Sequence, residues 1–401
     1  MKTKFHFPLI AALLHISPAL VRSQGAQPAD RADAKPIAKA AAKPAAAEIE
    51  VAFVLDTTGS MGGLIQAAKE KIWAIANTLA TTKPAPHIKL ALVGYRDRGD
   101  AYITKRTDLT DDLDAIYKEL MSFQAEGGGD TPESVNQALH EAVTKLSWSK
   151  DDKTYRVLFL VGDAPPHMDY KDDVKFPETC KLAATAGIFI NSIQCGAIGD
   201  TEPIWREVAM KAEGRYFRVE QSGGAILAAT PFDTKLAELA KDLDATRVFY
   251  GAKEEVAKQA ERTKNADAIY ASAPVAAQAQ RCVFNGSSAG VWNFSGGARE
   301  LVDDCASSRV KLSEIKEAEL PDELKKVPAA ERQTFVNERA EKRKQIQQQI
   351  TELSAKRQAH LAEEMKKATA SGKSNLDLPI YECVKAQAGK RGIHYTGGPS
   401  L

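Results

Sequence analysis

Between about residue 49 and residue 246, two kinds of apolar pattern alternate along the chain. Short, near-continuous apolar runs at Glu50–Asp56 (EVAFVLD), His87–Tyr95 (HIKLALVGY), Tyr155–Asp163 (YRVLFLVGD) and Gly187–Cys195 predict strands buried on both faces. Between them, apolar residues spaced three and four apart predict helices at Leu64–Leu79, Asp112–Phe123, Pro132–Leu146, Phe176–Ala186, Pro203–Ala212 and Phe232–Leu243. Tyr102–Leu109 alternates in the manner of an edge strand, and Arg215–Glu220 alternates as a last strand. This order predicts an α/β, doubly wound, mostly parallel sheet covered by helices on both faces. In such sheets ligands sit beyond the carboxyl ends of the strands.

The flanks carry different patterns. Met1–Lys4 is basic, Pro8–Leu14 is apolar, and Val21-Arg22-Ser23 offers a cleavage site, so residues 1–23 are expected to be a secretory signal peptide. Residues 24–48, almost all Ala, Pro, Lys, Gln and Asp, bury little apolar area and predict a disordered tether. Residues 247–401 predict a mainly helical extension. Within it, 251–310 is rich in Ala, Gly and Ser, while 311–370 is dense in Glu, Lys, Arg and Gln. Ile346, Ile350 and Leu353 form a thin apolar stripe, but Gln349, Lys356 and His360 interrupt any sustained heptad. A long solvated helix is expected there, followed by a short amphipathic element around Leu376–Val384.

Composition narrows the picture. The 401 residues suggest roughly two domains, and 44% apolar residues suffice for a core. A formal net charge of +1 gives no field that points to nucleic acid or an acidic membrane. No run after the signal approaches the ~20 apolar residues that a spanning helix needs. The mature chain is therefore expected not to span a membrane and to be exported, periplasmic or extracellular. Export permits disulfides. Five cysteines leave at least one thiol unpaired within the chain. Cys180, near a helix start, and Cys195, ending the next strand, fall at one edge of the sheet, so they form a plausible pair. Cys282 and Cys305 could close the segment that bears Trp292, leaving Cys383. Sequence does not settle the connectivity.

Candidate chemistry gathers at the strand ends. Asp56-Thr57-Thr58-Gly59-Ser60 follows the first strand, Gly127-Gly-Gly-Asp130-Thr131-Pro132-Glu133 precedes a helix, Val161-Gly162-Asp163 ends another strand, and Tyr95-Arg96-Asp97 ends a fourth segment. Asp56, Thr58, Ser60, Thr131 and Asp163 offer only oxygen, the donor set of hard divalent cations rather than of zinc's thiolate and imidazole sites. Each piece alone has a plainer reading: Asp-Thr-Gly occurs in loops, Thr131 could cap a helix with Pro132 at its first position, and Asp163 could be a turn residue. Arg96 and Asp97 are expected to pair and brace the rim, and Asp97 and Asp130 are candidates to support the ligands from behind. His167 shares the face, but Pro165-Pro166 and the oxygen-only set argue against a metal role for it. Arg98-Gly99-Asp100 spells an adhesion tripeptide that carries almost no weight at three residues.

Taken together and in order, these motifs resemble the metal-ion-dependent adhesion site of von Willebrand factor type A domains, over about residues 49–246. Asp56, Thr58 and Ser60 match its first motif, with Thr58 where Ser is commoner; Thr131 matches the second and Asp163 the third. The resemblance, closest to bacterial exported members, implies a Rossmann-like fold and one bound divalent cation, Mg²⁺ foremost, with Mn²⁺ or Ca²⁺ also admitted. It also implies a protein partner whose Asp or Glu completes the metal shell. The expected function is a metal-dependent adhesion or assembly module, not an enzyme. The alternative is a metal-dependent enzyme or an ATPase or chelatase accessory subunit, although the chain holds no G-x-x-x-x-G-K-[ST] phosphate loop.

Overall fold

The structure, a computed structural model, describes residues 47–220, 229–297, 299–370, 377–395 and 398. The expected signal peptide and nearly all of the expected tether lie outside the described residues.

Six strands form one sheet in the order β3-β2-β1-β4-β5-β6: β1 (Glu48–Asp56), β2 (His87–Tyr95), β3 (Thr104–Thr110), β4 (Tyr155–Gly162), β5 (Ile188–Cys195) and β6 (Tyr216–Val219). All pairs are parallel except β2 with β3, the half-exposed edge strand. Side chains alternate across each strand, which splits the core into two layers. Ile49, Val51, Leu55, Leu90, Val157 and Phe189 face one layer; Ala52, Val54, Val93, Leu158, Leu160 and Ile190 face the other. Helices α1 (Gly62–Leu79) and α2 (Leu113–Ser122) cover the first face. Helices α3 (Val135–Lys145), α4 (Phe176–Thr185) and α5 (Thr201–Lys211) cover the second. The α/β, mostly parallel architecture expected from the apolar runs is therefore present. Strand order reverses between β1 and β4, which opens a crevice at their carboxyl ends.

One helix starts later than its pattern predicts. Residues 131–134 stay out of α3, because Glu133 N–H donates to Pro165 O (2.9 Å) and His167 N–H donates to Glu133 O (3.1 Å). This short parallel bridge ties the glycine-rich loop to the segment after β4.

The remaining helices are α6 (Asp233–Asp244), α7 (Lys253–Ser272), α8 (Val275–Gly286), α9 (Val291–Ser295), α10 (Leu301–Ala306), α11 (Asp322–Lys325), α12 (Arg332–Ala370) and α13 (Asp377–Gly389). They belong to the same compact unit as the sheet. Phe284 of α8 and Tyr381, Val384 and Ala388 of α13 join the core on the face covered by α1. Gln387 of α13 accepts from Tyr155 Oη (2.8 Å) and donates to Asn191 Oδ1 (3.0 Å). The long helix α12 packs on α6, α8 and α10. Its stripe is less apolar than Ile346 and Ile350 suggest: Arg343 and Arg357 are buried in it too. Among the described residues no helix is long and apolar enough to cross a membrane.

All five cysteines are free thiols, which corrects both expected pairings. Cys180 packs into the layer under α4, while the alternation of β5 turns Cys195 into the opposite layer. Cys282 packs with α6 and α12, whereas Cys305 lies against a separate cluster around Tyr250 and Leu301.

Candidate metal centre

Three chain segments meet over the crevice. Asp56 ends β1 with no exposed surface, and its Oδ1 accepts from both Thr58 N–H (2.9 Å) and Thr58 Oγ1 (2.6 Å). That short Asx turn swings Thr58 and Ser60 back over the strand end, leaving their hydroxyls 3.3 Å apart. Thr57 anchors the turn to β2 through Tyr95 O. The glycine-rich loop is drawn in by Gly59 N–H to Gly127 O and by Glu126 N–H to Thr57 O. Gly127 and Gly128 take left-handed conformations (φ 78° and 80°) that favour glycine. Asp163, also buried, follows β4, and the Thr201 hydroxyl at the start of α5 holds its carbonyl. Gly162 lets the strands close up: a Cβ there would collide with the Tyr95 hydroxyl and lie 3.0 Å from Asp56 Cβ.

The electrostatics are one-sided. Burial pushes the Asp56 carboxyl up to about 7; its hydrogen bonds with Thr58 oppose this and Asp163 adds to it. Glu133 is pushed up to about 9, first by burial and then by Asp56, Asp97 and Asp100. The charges that act most on these two groups are negative. Asp56 Oδ2 and Glu133 Oε2 are buried without a hydrogen-bond partner.

The structure thus brings Asp56, Thr58, Ser60 and Asp163 together, as their order in the sequence suggests. Thr131 sits exposed on the glycine-rich loop and does not cap α3, whose N-cap is Ser134. Sequence reasoning missed Glu133, which reads as a first-turn helix residue until the bridge to Pro165 and Pro166 pulls it over Thr58. Its one advance signal is its place two residues after Thr131.

The rim also differs from expectation. Arg96 does not pair with Asp97: its guanidinium lies over the Tyr102 ring and donates to Gln124 O (2.9 Å). Asp97 instead accepts from Ser134 Oγ (2.8 Å) and Tyr170 Oη (2.9 Å). Asp100 turns inward to accept from Asp97 N–H and Gly128 N–H, and Arg98 pairs with Asp172 and Asp173, so the Arg-Gly-Asp tripeptide is part of the rim's own framework. His167, discounted from sequence, stands beside Asp97 and Asp130.

Residues 50–229 match the family model of the von Willebrand factor A domain. Over that stretch the chain is similar to von Willebrand factor A domains. Relatives include von Willebrand factor A domain-containing protein 7 of Rattus norvegicus, 34% identical over 116 residues, which is 29% of this chain and 12% of that protein. An ariadne-like RING finger protein of Acanthamoeba polyphaga mimivirus is 29% identical over 121 residues, 30% of this chain and 11% of that protein. The chain thus spans about a tenth of the length of these curated relatives. Among solved structures, the domain is similar to proximal thread matrix protein 1 from the mussel byssus with a zinc-occupied MIDAS motif (18% identity, TM-score 0.35, 43% of this chain and 42% of that chain). It is also similar to the SpRpn10 VWA domain (12% identity, TM-score 0.34, 43% of this chain and 88% of that chain).

Proposed function

We propose that this domain is a protein-binding module of the cell envelope whose recognition depends on one divalent cation, Mg²⁺ foremost, held by Asp56, Thr58, Ser60, Thr131 and Asp163. The observation that carries this reading is the buried Oδ2 of Asp56, which has no hydrogen-bond partner and stands where the charge that acts most is the negative one of Asp163. A buried carboxylate in that position is costly unless a cation reaches it. The donor set fits a hard ion, because carboxylate and hydroxyl oxygens converge there and no thiolate or imidazole does. Two aspartates balance a +2 ion and the hydroxyls add no charge, so the bound ion would supply a positive centre for a partner's Asp or Glu. The chain's own part is to hold the oxygens in place: Thr58 locks Asp56, and the Gly127–Gly129 loop and the bridge at Glu133 set the height of the rim. The basic and apolar N-terminal residues support export to the periplasm or cell exterior. A binding role without catalysis also fits, since the buried groups here support an ion rather than a nucleophile.

The test is retention of a partner from envelope extract by the chain in Mg²⁺, in EDTA, and as Asp56→Ala. The reading expects a partner held only by wild type in Mg²⁺. A partner held equally in all three conditions removes the cation from recognition.

A further inference from the structure

We propose that Asp97, Asp130 and His167 form a second cation site on the rim, one that takes a borderline transition ion of the Zn²⁺ class rather than Mg²⁺. The inference does not depend on the proposed function, because none of its three ligands belongs to the five-residue oxygen set.

The three side chains come from separate segments: Asp97 after β2, Asp130 in the glycine-rich loop and His167 after β4. One ligand atom from each lies within 4.8 Å of the other two. His167 Nε2 is 3.3 Å from Asp97 Oδ2 and 3.7 Å from Asp130 Oδ2. His167 is only 6% exposed, and Nε2 makes no hydrogen bond. A buried imidazole nitrogen aimed between two carboxylates without a hydrogen bond is a ligand in need of an acceptor of its lone pair.

The surroundings hold that nitrogen ready. His167 Nδ1 lies 2.8 Å from Asp169 Oδ1, a carboxylate that only accepts, so Nδ1 is the nitrogen that donates and Nε2 is the one that faces the two carboxylates. A carboxylate behind the histidine is the arrangement that orients metal-bound imidazoles. The ring stacks on Tyr170 at 4.0 Å, and the Arg98 guanidinium sits 4.0 Å from the centre of the same tyrosine ring. Asp97 is fixed at both oxygens, by Ser134 and by Tyr170. Asp130, with 63% of its side chain exposed, leaves an open side for ion entry and for water ligands.

One nitrogen and two carboxylates suit zinc and its neighbours, while Mg²⁺ favours oxygen alone. An ion here would also draw in Asp130, the neighbour of Thr131, and so tie the loop that serves the oxygen-only centre.

The experiment measures Zn²⁺ and Mg²⁺ stoichiometry on the full chain without an affinity tag, by native mass spectrometry and calorimetry. Wild type is expected to bind two Zn²⁺ but one Mg²⁺. His167→Gln is expected to bind one Zn²⁺ and to keep its Mg²⁺, which also shows that it is folded. Asp56→Ala is expected to lose the Mg²⁺ and keep one Zn²⁺, so failure of this site and failure of the proposed function are distinguishable. Asp169→Asn is expected to weaken the second Zn²⁺ by about 10–100-fold. Nitrogen NMR of wild type gives an independent readout, in which the His167 Nε2 resonance moves with Zn²⁺ and not with Mg²⁺. The inference is overturned if His167→Gln binds as many Zn²⁺ as wild type. It is equally overturned if Nε2 does not respond, which would leave His167 as a protonated bridge between Asp97 and Asp130.

Discussion

Two regions of this molecule treat their buried carboxylates differently. In the helical layer Asp114, Asp233, Asp244 and Glu300 each have an arginine. Arg281, with no exposed surface, makes two parallel hydrogen bonds to Asp114 (2.7 and 2.6 Å) and pairs with Asp244 at 2.9 Å. Arg343 of α12 pairs with Glu300 and Asp303, and Arg357 pairs with Asp233. At the carboxyl edge of the sheet, Asp56 and Glu133 have hydrogen bonds with Thr58, but the charges that act most on them are other acids. Under the proposed function, the place where the buried acids lack a cation of the chain's own is the place where one from solution would bind. The arginines also explain why the helical layer stays attached: Arg281 of α8 reaches Asp114 of α2, so separating the layers would strand a buried charge on each.

The comparison can be broken most forcefully at Arg281. Arg281→Leu leaves Asp114 buried without a cation, while Asp244 keeps Arg247, and is expected to lose about 3–5 kcal/mol of stability, read from the urea midpoint. An unchanged midpoint would show that the pairing does not hold the layers together. The matching change at the sheet edge has the opposite expectation. Asp56→Asn keeps an acceptor for Thr58 and removes an unpaired charge, so stability in EDTA should not fall. Mg²⁺ at about a hundredfold above its dissociation constant should stabilise wild type by about 2.7 kcal/mol and leave Asp56→Asn unmoved. Equal thermal shifts in the two proteins would sever Asp56 from the cation. In the helical layer, Ile350→Val trims a buried contact between α12 and α8 and is expected to cost about 1 kcal/mol. The smallest effect belongs to the exposed pair Lys181–Glu178, where Lys181→Ala should change stability by no more than about 0.5 kcal/mol. A large loss there would mean that exposed pairs matter as much as the buried arginines.

Much of the fold was legible in the chain. The runs around Phe53, Leu92 and Phe159 are apolar on both faces, and only a strand covered on both sides tolerates that. Asp56, Thr58, Ser60 and Asp163 were legible because each sits at the end of such a run or in the turn just after it. The N-terminal residues of α3 were not, since Pro132 and Glu133 look like a helix start and only the bridge to Pro165 and Pro166 holds them out.

By itself the sequence determined what is local: strand against helix from the spacing of apolar residues, and the order in which oxygen-bearing residues reach the strand ends. Tertiary structure alone decided which groups meet. The alternation of β5 turned Cys195 away from Cys180 of α4, packing buried Arg343 and Arg357 in a helix that looks solvated, and loop convergence stood His167 between Asp97 and Asp130. Periodicity records which side of an element is buried, whereas what lies across that side depends on segments far away in the chain.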